Sequence, residues 1–300
     1  MNNHQHNTSP QRDTIAMVYD FDGTLCPRPM QEYTVLPKIG LDAHEFWAEV
    51  GRDACMNHGE SMLSYMRLLL EKAAAKKVHI GRQDFVAMGK QIDYYPGVED
   101  WFPRLNKHVA KLSHSHIKVQ HYIISAGMKE ILEGITIVQY FKQIYASEYY
   151  FNHQGIATFP KILITDTTKT QFLFRVNKGL EDLSQSINEH MPEHLRPIPF
   201  KNMIYIGDGM TDVPSMALTK KNGGHTIAVY PNKVENDKSI CRNLMLAGRV
   251  DFIAPADYQP DGALWRRTES LLEAVVSRMV YEQHLQACYL EHKIPAHGME

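Results

Sequence analysis

Ile15-Ala16-Met17-Val18-Tyr19-Asp20-Phe21-Asp22-Gly23-Thr24-Leu25 is an apolar run that ends in two carboxylates separated by one residue, followed by a glycine. The run reads as a strand, and in an extended chain side chains two apart lean the same way. Asp20 and Asp22 therefore project toward one small volume beyond the sheet edge. Two like charges placed there need a partner, and a hard divalent cation can neutralise several carboxylates together. Gly23 lets the chain turn sharply and brings backbone N–H groups close to an anion. A cation site beside an anion site points to phosphate. The competing readings of Asp-x-Asp-Gly are a solvated turn and a calcium loop. A calcium loop continues with further oxygen ligands to a Glu at its twelfth position, whereas Thr24-Leu25-Cys26-Pro27 follows here.

Three more segments add polar groups next to apolar runs. Val119-Gln120-His121-Tyr122-Ile123-Ile124 reads as a strand, and Ser125-Ala126-Gly127 at its end offers a hydroxyl and small residues whose N–H groups can approach a ligand. Met203-Ile204-Tyr205-Ile206 is another strand, closing in Gly207-Asp208-Gly209-Met210-Thr211-Asp212-Val213-Pro214, which supplies a third and a fourth carboxylate in Asp208 and Asp212. Between them, Lys169 precedes a helix-like run that stops at Gly179. A lone lysine is easily a surface residue; its place in the order of the other elements gives it weight.

On these four segments, in this order, the chain resembles the haloacid dehalogenase-like superfamily, in particular its phosphoserine-phosphatase-like branch. The resemblance runs from about Ile15 to about Tyr258. For the third motif Lys178 competes with Lys169. Lys169 is preferred because Thr170–Lys178 followed by Gly179 has the length and glycine stop of a helix of about three turns, which would leave Lys178 as a solvated cation at the helix C-terminus.

The resemblance implies an α/β fold, a doubly wound, Rossmann-like and mostly parallel sheet core with an inserted helical cap domain. It implies a magnesium-dependent phosphomonoester hydrolase acting on a small phosphorylated metabolite through an aspartyl-phosphate. Asp20 is then the nucleophile, and Asp22 is the acid for the leaving oxygen and afterwards the base for water. The phosphoryl oxygens fall to Gly23, Thr24, Ser125, Ala126, Gly127 and Lys169. Mg²⁺ falls to Asp20, the Asp22 carbonyl and Asp208, with Asp212 acting directly or through water. Asp22, Asp208 and Asp212 argue against carbon–halogen chemistry. A phosphomutase of the same superfamily and a non-enzymatic phosphate-binding module remain as alternatives.

Length and composition fit such an enzyme. The 300 residues exceed a typical single domain. Thirty-two basic against 34 acidic residues give a net charge of −2, with no broad basic footprint for nucleic acid. The four cysteines, Cys26, Cys55, Cys241 and Cys288, show no Cys-x-x-Cys spacing, so neither a zinc site nor a disulfide framework is expected, and Cys26 reads as a small buried residue. The pairs His4/His6 and His114/His116 lack a third ligand or an i, i+4 spacing. No long apolar run and no hydrophobic signal core are present, which gives the expectation of a cytoplasmic protein without membrane partners, monomeric or homodimeric.

The expected organisation is a disordered tail over 1–13, a catalytic core over 14–27 and 95–300, and a helical cap over 28–94. Within the cap, Leu41–Lys77 carries helical patterning (Phe46, Trp47, Val50, then Met62, Tyr65, Met66, Leu69 and Leu70), a stripe that more commonly marks core than substrate contact. Gly81–Asp93 holds a further short helix. Arg28, Glu32, Arg52, Arg67 and Arg82 are candidates for binding a second group on the substrate. Beyond the cap, a strand is expected near 118–125, a helix near 129–138, a strand near 143–147 and an antiparallel excursion over 149–164. Later strands follow at 225–230 and 250–254. The apolar face Leu264, Leu271, Leu272, Val275, Val276, Met279 and Val280 should dock a C-terminal helix on the core, with a dimer contact as the alternative.

Overall fold

A computed structural model describes residues 13–114, 116–231 and 235–292. Its first strand, β1 (Thr14–Tyr19), is buried along its whole length. It occupies the middle of a seven-stranded sheet, with β2 (Lys118–Met128), β3 (Phe141–Phe151) and β4 (Ala157–Ile162) on one side and β5 (Met203–Gly207), β6 (His225–Tyr230) and β7 (Phe252–Pro255) on the other. Every pairing is parallel except that of β3 with β4. A strand between two parallel neighbours must be apolar on both faces, which is why β1 does not alternate. Ile15, Met17 and Tyr19 enter one core layer with Trp101, Phe102 and Leu272; Ala16 and Val18 enter the other with Phe172, Leu173 and Met216.

The interval before β2 is helical. It contains α1 (Met30–Tyr33), α2 (Val35–Lys38), α3 (Ala43–Met56), α4 (Ser61–Ala75) and α5 (Arg82–Met88), and then α6 (Val98–Leu112). Asp42 caps α3 by accepting from the Glu45 N–H at 2.9 Å, and Glu60 caps α4 by accepting from the Leu63 N–H at 2.8 Å, each satisfying an otherwise unpaired first-turn donor. The Met and aromatic stripe is core: Phe46, Val50, Tyr65, Met66 and Leu69 are buried together. The remaining helices are α7 (Lys129–Leu132), α8 (Lys169–Lys178), α9 (Val213–Lys221), α10 (Glu235–Leu246) and α11 (Ala263–Glu291). Helices α6 and α11 pack on one face of the sheet, and α8 and α9 on the other.

The helix expected over 129–138 ends after Leu132. Gly134 there lies so close to α5 that an added Cβ would stand 1.7 Å from the Val86 carbonyl oxygen, a crossing that a continuing helix would not permit. The strand expected to stop at Ser125 runs on to Met128, and β7 begins two residues later than expected. The two short helices α1 and α2 follow Pro29 and Thr34 and have no period long enough to read in sequence. The apolar face of α11 is buried in the chain's own core. The expected tail lies outside the described residues apart from Asp13, as do His4 and His6. Among the described residues, no helix is long and apolar enough to cross a membrane.

Candidate active site

The chain leaves the sheet in opposite directions from β1, to β2 and β3 on one side and β5 to β7 on the other, so the strand order reverses beside β1. At such a reversal the loops at the carboxyl ends of adjacent strands part and leave a crevice. Tyr19 pairs with Ile123 of β2 and Ile206 of β5, and Asp20 donates its N–H to the Ile206 carbonyl at 3.0 Å. That register brings the segments carrying Asp20, Ser125 and Asp208 to the same edge.

Lys169, the first residue of α8, reaches into the crevice. Its Nζ donates to Asp20 Oδ1 at 2.7 Å and to Asp212 Oδ1 at 2.8 Å. Only 1% of Lys169 is exposed, so these pairs escape the solvent screening that weakens surface bridges. Asp212 is anchored further: the Tyr205 hydroxyl donates to its Oδ1 at 2.6 Å, and the Asp208 N–H donates to its Oδ2 at 3.2 Å. Asp22 accepts from the Met30 N–H at 2.8 Å, which ties α1 to the first motif. Ser125 is buried, and its Oγ accepts from the Gly127 N–H at 2.9 Å.

Two glycines are there for closeness. A Cβ on Gly23, whose φ is +79°, would stand 2.2 Å from Asp208 Oδ2, and one on Gly127 would stand 2.1 Å from the Met30 methyl. The Gly23 N–H donates to the Cys26 carbonyl and the Thr24 N–H to that of Phe21, so with Gly127 donating to Ser125 these three N–H groups close turns within the protein. These bonds fix the shape of the loops around the crevice. The Thr24 carbonyl accepts from the Tyr258 hydroxyl at 2.9 Å, and Ala126 offers its carbonyl to Ser147.

Carboxylate oxygens of Asp20, Asp208 and Asp212 lie within 4.8 Å of one another, the only such group of acid, histidine and cysteine ligands among the described residues. All-oxygen donors suit a hard cation, and Lys169 alone cannot balance four carboxylates. The electrostatics register the crowding. Burial, and after it the charge of Asp212, lifts the Asp20 carboxyl to about 6 against the opposing pull of Lys169. Burial and the neighbouring Asp20 lift Asp22 to about 7. Burial followed by Asp212 and Asp20 raises Asp208 well above the usual carboxylate range. Burial works against the Lys169 ammonium, but Asp20 and Asp212 overcome it and hold its pKa well above the ordinary value.

Some expectations about neighbours change. Lys178 is not a solvated cation; its Nζ donates to the Ile187 and Glu189 carbonyls at 2.6 and 2.8 Å. Arg67 is engaged with Asp53 and Glu71, Arg82 with Glu133, and Glu32 accepts from the Trp47 indole. Arg52 is exposed, and the exposed Arg28 lies over the Tyr33 ring. Cys26 is fully buried and its Sγ donates to the Arg28 carbonyl at 3.2 Å. Sequence reading missed Tyr205, because nothing in an apolar strand marks one hydroxyl as a site group.

The profile of the haloacid dehalogenase-like hydrolases matches residues 17–217, and the chain belongs to this family. An uncharacterised protein of Borreliella burgdorferi is 27% identical over 272 residues, covering 83% of this chain and 93% of that protein. A HAD family hydrolase from Salmonella enterica subsp. enterica serovar Typhi superposes with a TM-score of 0.51 at 15% identity over 77% of this chain; the chain spans 66% of that hydrolase's length. A phosphoserine phosphatase in its apo form superposes with a TM-score of 0.52 at 14% identity, over 83% of this chain and 95% of that chain. The structural likenesses are likenesses of fold.

Proposed function

We propose that this hydrolase is a magnesium-dependent phosphomonoesterase that works through an aspartyl-phosphate on Asp20. The observation that carries the reading is the contact of Lys169 with both Asp20 and Asp212, beside an Asp22 whose carboxyl titrates near neutrality. A nucleophile must stay ionised, and the ammonium favours that state of Asp20. A general acid must hold a proton at working pH, and burial beside Asp20 lifts the Asp22 carboxyl to about 7, so that it keeps one over much of the range below neutrality.

In the first step an Asp20 oxygen bonds to phosphorus, the phosphorus–oxygen bond to the leaving alcohol breaks, and the Asp22 proton passes to that oxygen. In the second, Asp22 takes a proton from water, the water oxygen bonds to phosphorus, and the bond to Asp20 breaks to release inorganic phosphate. Splitting one slow displacement in two suits phosphate monoesters, which are among the slowest of esters to hydrolyse. Asp20, Asp208 and Asp212 would hold Mg²⁺, which when bound offsets negative charge on the carboxylates and the phosphoryl group. Ser125 and Lys169 orient the phosphoryl oxygens, as a loose transition state requires. The helices within residues 28–94 act as the cap that excludes water and surrounds the leaving group.

Turnover of p-nitrophenyl phosphate with magnesium, abolished by Asp20→Asn, is the expected result. Magnesium-dependent phosphate binding without release of p-nitrophenol would overturn the hydrolase reading in favour of a binding module.

A further inference from the structure

A cleft of about 280 Å³, lined by none of the crevice residues, runs along β3. Strand β4 pairs with β3 only over 148–151, so the edge of β3 over 143–146 is left to line the cleft. Ile144, Ile162, Phe172 and Leu183 give it apolar walls. Tyr145 lines it as well; the residue is 3% exposed, with its ring centroid 4.9 Å from that of Phe172. The Tyr145 hydroxyl is buried and has no hydrogen-bond partner among the described residues. An unmet buried hydroxyl is destabilising, and a ligand that meets it removes the penalty.

The two ends of the cleft differ in charge. At one, Lys129 and Lys161 donate to the two oxygens of the buried Glu148 at 2.8 and 2.7 Å, so two ammoniums share one carboxylate. An ammonium has three N–H donors, and each gives one to Glu148; this end therefore carries excess positive charge and donors for a further anion. At the other end stand Glu181, paired at 3.4 Å with Lys142 near the start of β3, and Asp182. Arg175 of α8 fixes their loop by donating to the Leu180, Asp182, Leu183 and Gln185 carbonyls. After burial, Glu181 is the strongest influence holding the Tyr145 phenol above its usual range, which places that neutral hydroxyl at the acidic end. Tyr145 and Glu148 are three residues apart on one strand, roughly 10 Å, a length that one aromatic ring and a short acid arm span with a hydrogen bond at each end.

We infer that this cleft is a ligand site separate from the active site, and that it takes a small monocarboxylic acid whose compact apolar body ends in a hydroxyl. The carboxylate meets Lys129 and Lys161, and the body lies on Ile144, Ile162, Phe172 and Leu183. The ligand hydroxyl accepts from Tyr145 and donates to Glu181. A second anion at that end would face Glu181 and Asp182, so a dianion spanning the cleft is rejected. The inference is independent of the phosphomonoesterase reading, since no residue of the acidic crevice takes part.

The probe is p-hydroxyphenylacetate, titrated into the full chain in a calorimeter, with an expected dissociation constant below about 1 mM. Phenylacetate, which lacks the hydroxyl, should bind about tenfold more weakly, as for one hydrogen bond to a group otherwise unmet. Tyramine and p-carboxyphenylacetate, which reverse or double the charge, should also lose at least about tenfold. Tyr145→Phe should cancel the advantage of the hydroxylated probe and, because it deletes an unmet polar atom, raise the melting temperature of the unliganded protein by about 2–4 °C. That combination separates a ligand contact from a structural hydroxyl, whose loss would lower the melting temperature. Lys161→Met, on the exposed rim, should weaken p-hydroxyphenylacetate at least about tenfold. Absence of binding at about 10 mM, equal affinity for phenylacetate, a melting temperature that fails to rise in Tyr145→Phe, or displacement of the probe by inorganic phosphate with magnesium would each overturn the site.

Discussion

Replacing Lys169 by Met removes the one ammonium that sits between two buried carboxylates while keeping the length and apolar stem of the side chain. The parent contacts are 2.7 and 2.8 Å long, to Asp20 and Asp212. Breaking a buried pair by deleting one partner costs roughly 3–5 kcal/mol, because the other charge stays behind without compensation. At about 2–4 °C per kcal/mol for a chain of a few hundred residues, the melting temperature should fall on the order of 10 °C. The loss depends on pH in a defined direction. Asp20 has a folded pKa of about 6, above its ordinary 3.8, so the folded state favours the protonated acid; that contribution is complete below about 4 and is lost as pH rises through 6. Without the ammonium the folded pKa moves higher still. The stability deficit should therefore be small at pH 5 and full at pH 8. Turnover of p-nitrophenyl phosphate at pH 7 should fall about 10²–10³-fold, the usual cost of one electrostatic donor at a charged transition state. Thermal melts at the two pH values and initial rates measure both effects. The control is Lys72→Met, which breaks only the surface bridge to Glu49 and should cost less than about 1 kcal/mol. A Lys169→Met protein that melts within about 2 °C of the parent at pH 8 and keeps its turnover would refute this account of the crevice.

Three other outcomes follow from the same geometry. In the first step, Asp22→Asn should slow release of the alcohol from alkyl phosphates about 10²–10⁴-fold while affecting the single-turnover release of p-nitrophenol much less, because a good leaving group needs no proton; equal losses in that step would contradict the acid role, and rapid-quench rates on the two substrates decide it. The pH profile of kcat/KM should fall above about 7, where Asp22 loses its proton, and a profile that stays flat to pH 9 would count against it. Magnesium should raise the melting temperature more at pH 8 than at pH 5, since Asp20 and Asp22 are both protonated in the folded state at the lower value and crowded as anions at the higher. The melts should show no such difference in Asp208→Asn.

Much of the crevice could be read from the sequence because its residues sit where strands end. Asp20 and Asp208 are marked by the apolar runs before them, and Lys169 by the helix that stops at Gly179, whose φ of +67° suits the left-handed cap. Strand parity put Asp20 and Asp22 on one side, but no local pattern shows that the Met30 N–H returns eight residues later to hold Asp22. Tyr205 is silent for a related reason: it looks like part of an apolar strand, and only the turn after β5 brings Asp212 back to its hydroxyl. The short α7 was misjudged because its end is set by the Val86 backbone, 48 residues before Gly134, and not by anything next to it in the chain.

The central claim is that Asp20 itself carries the phosphoryl group. Rapid acid quenching of a single turnover, followed by peptide mass spectrometry, should find one phosphoryl group on the peptide containing Asp20, gone when the reaction runs to completion and never formed by Asp20→Asn. Release of phosphate at the parent rate with no phosphoryl group on Asp20 at any time point would contradict it.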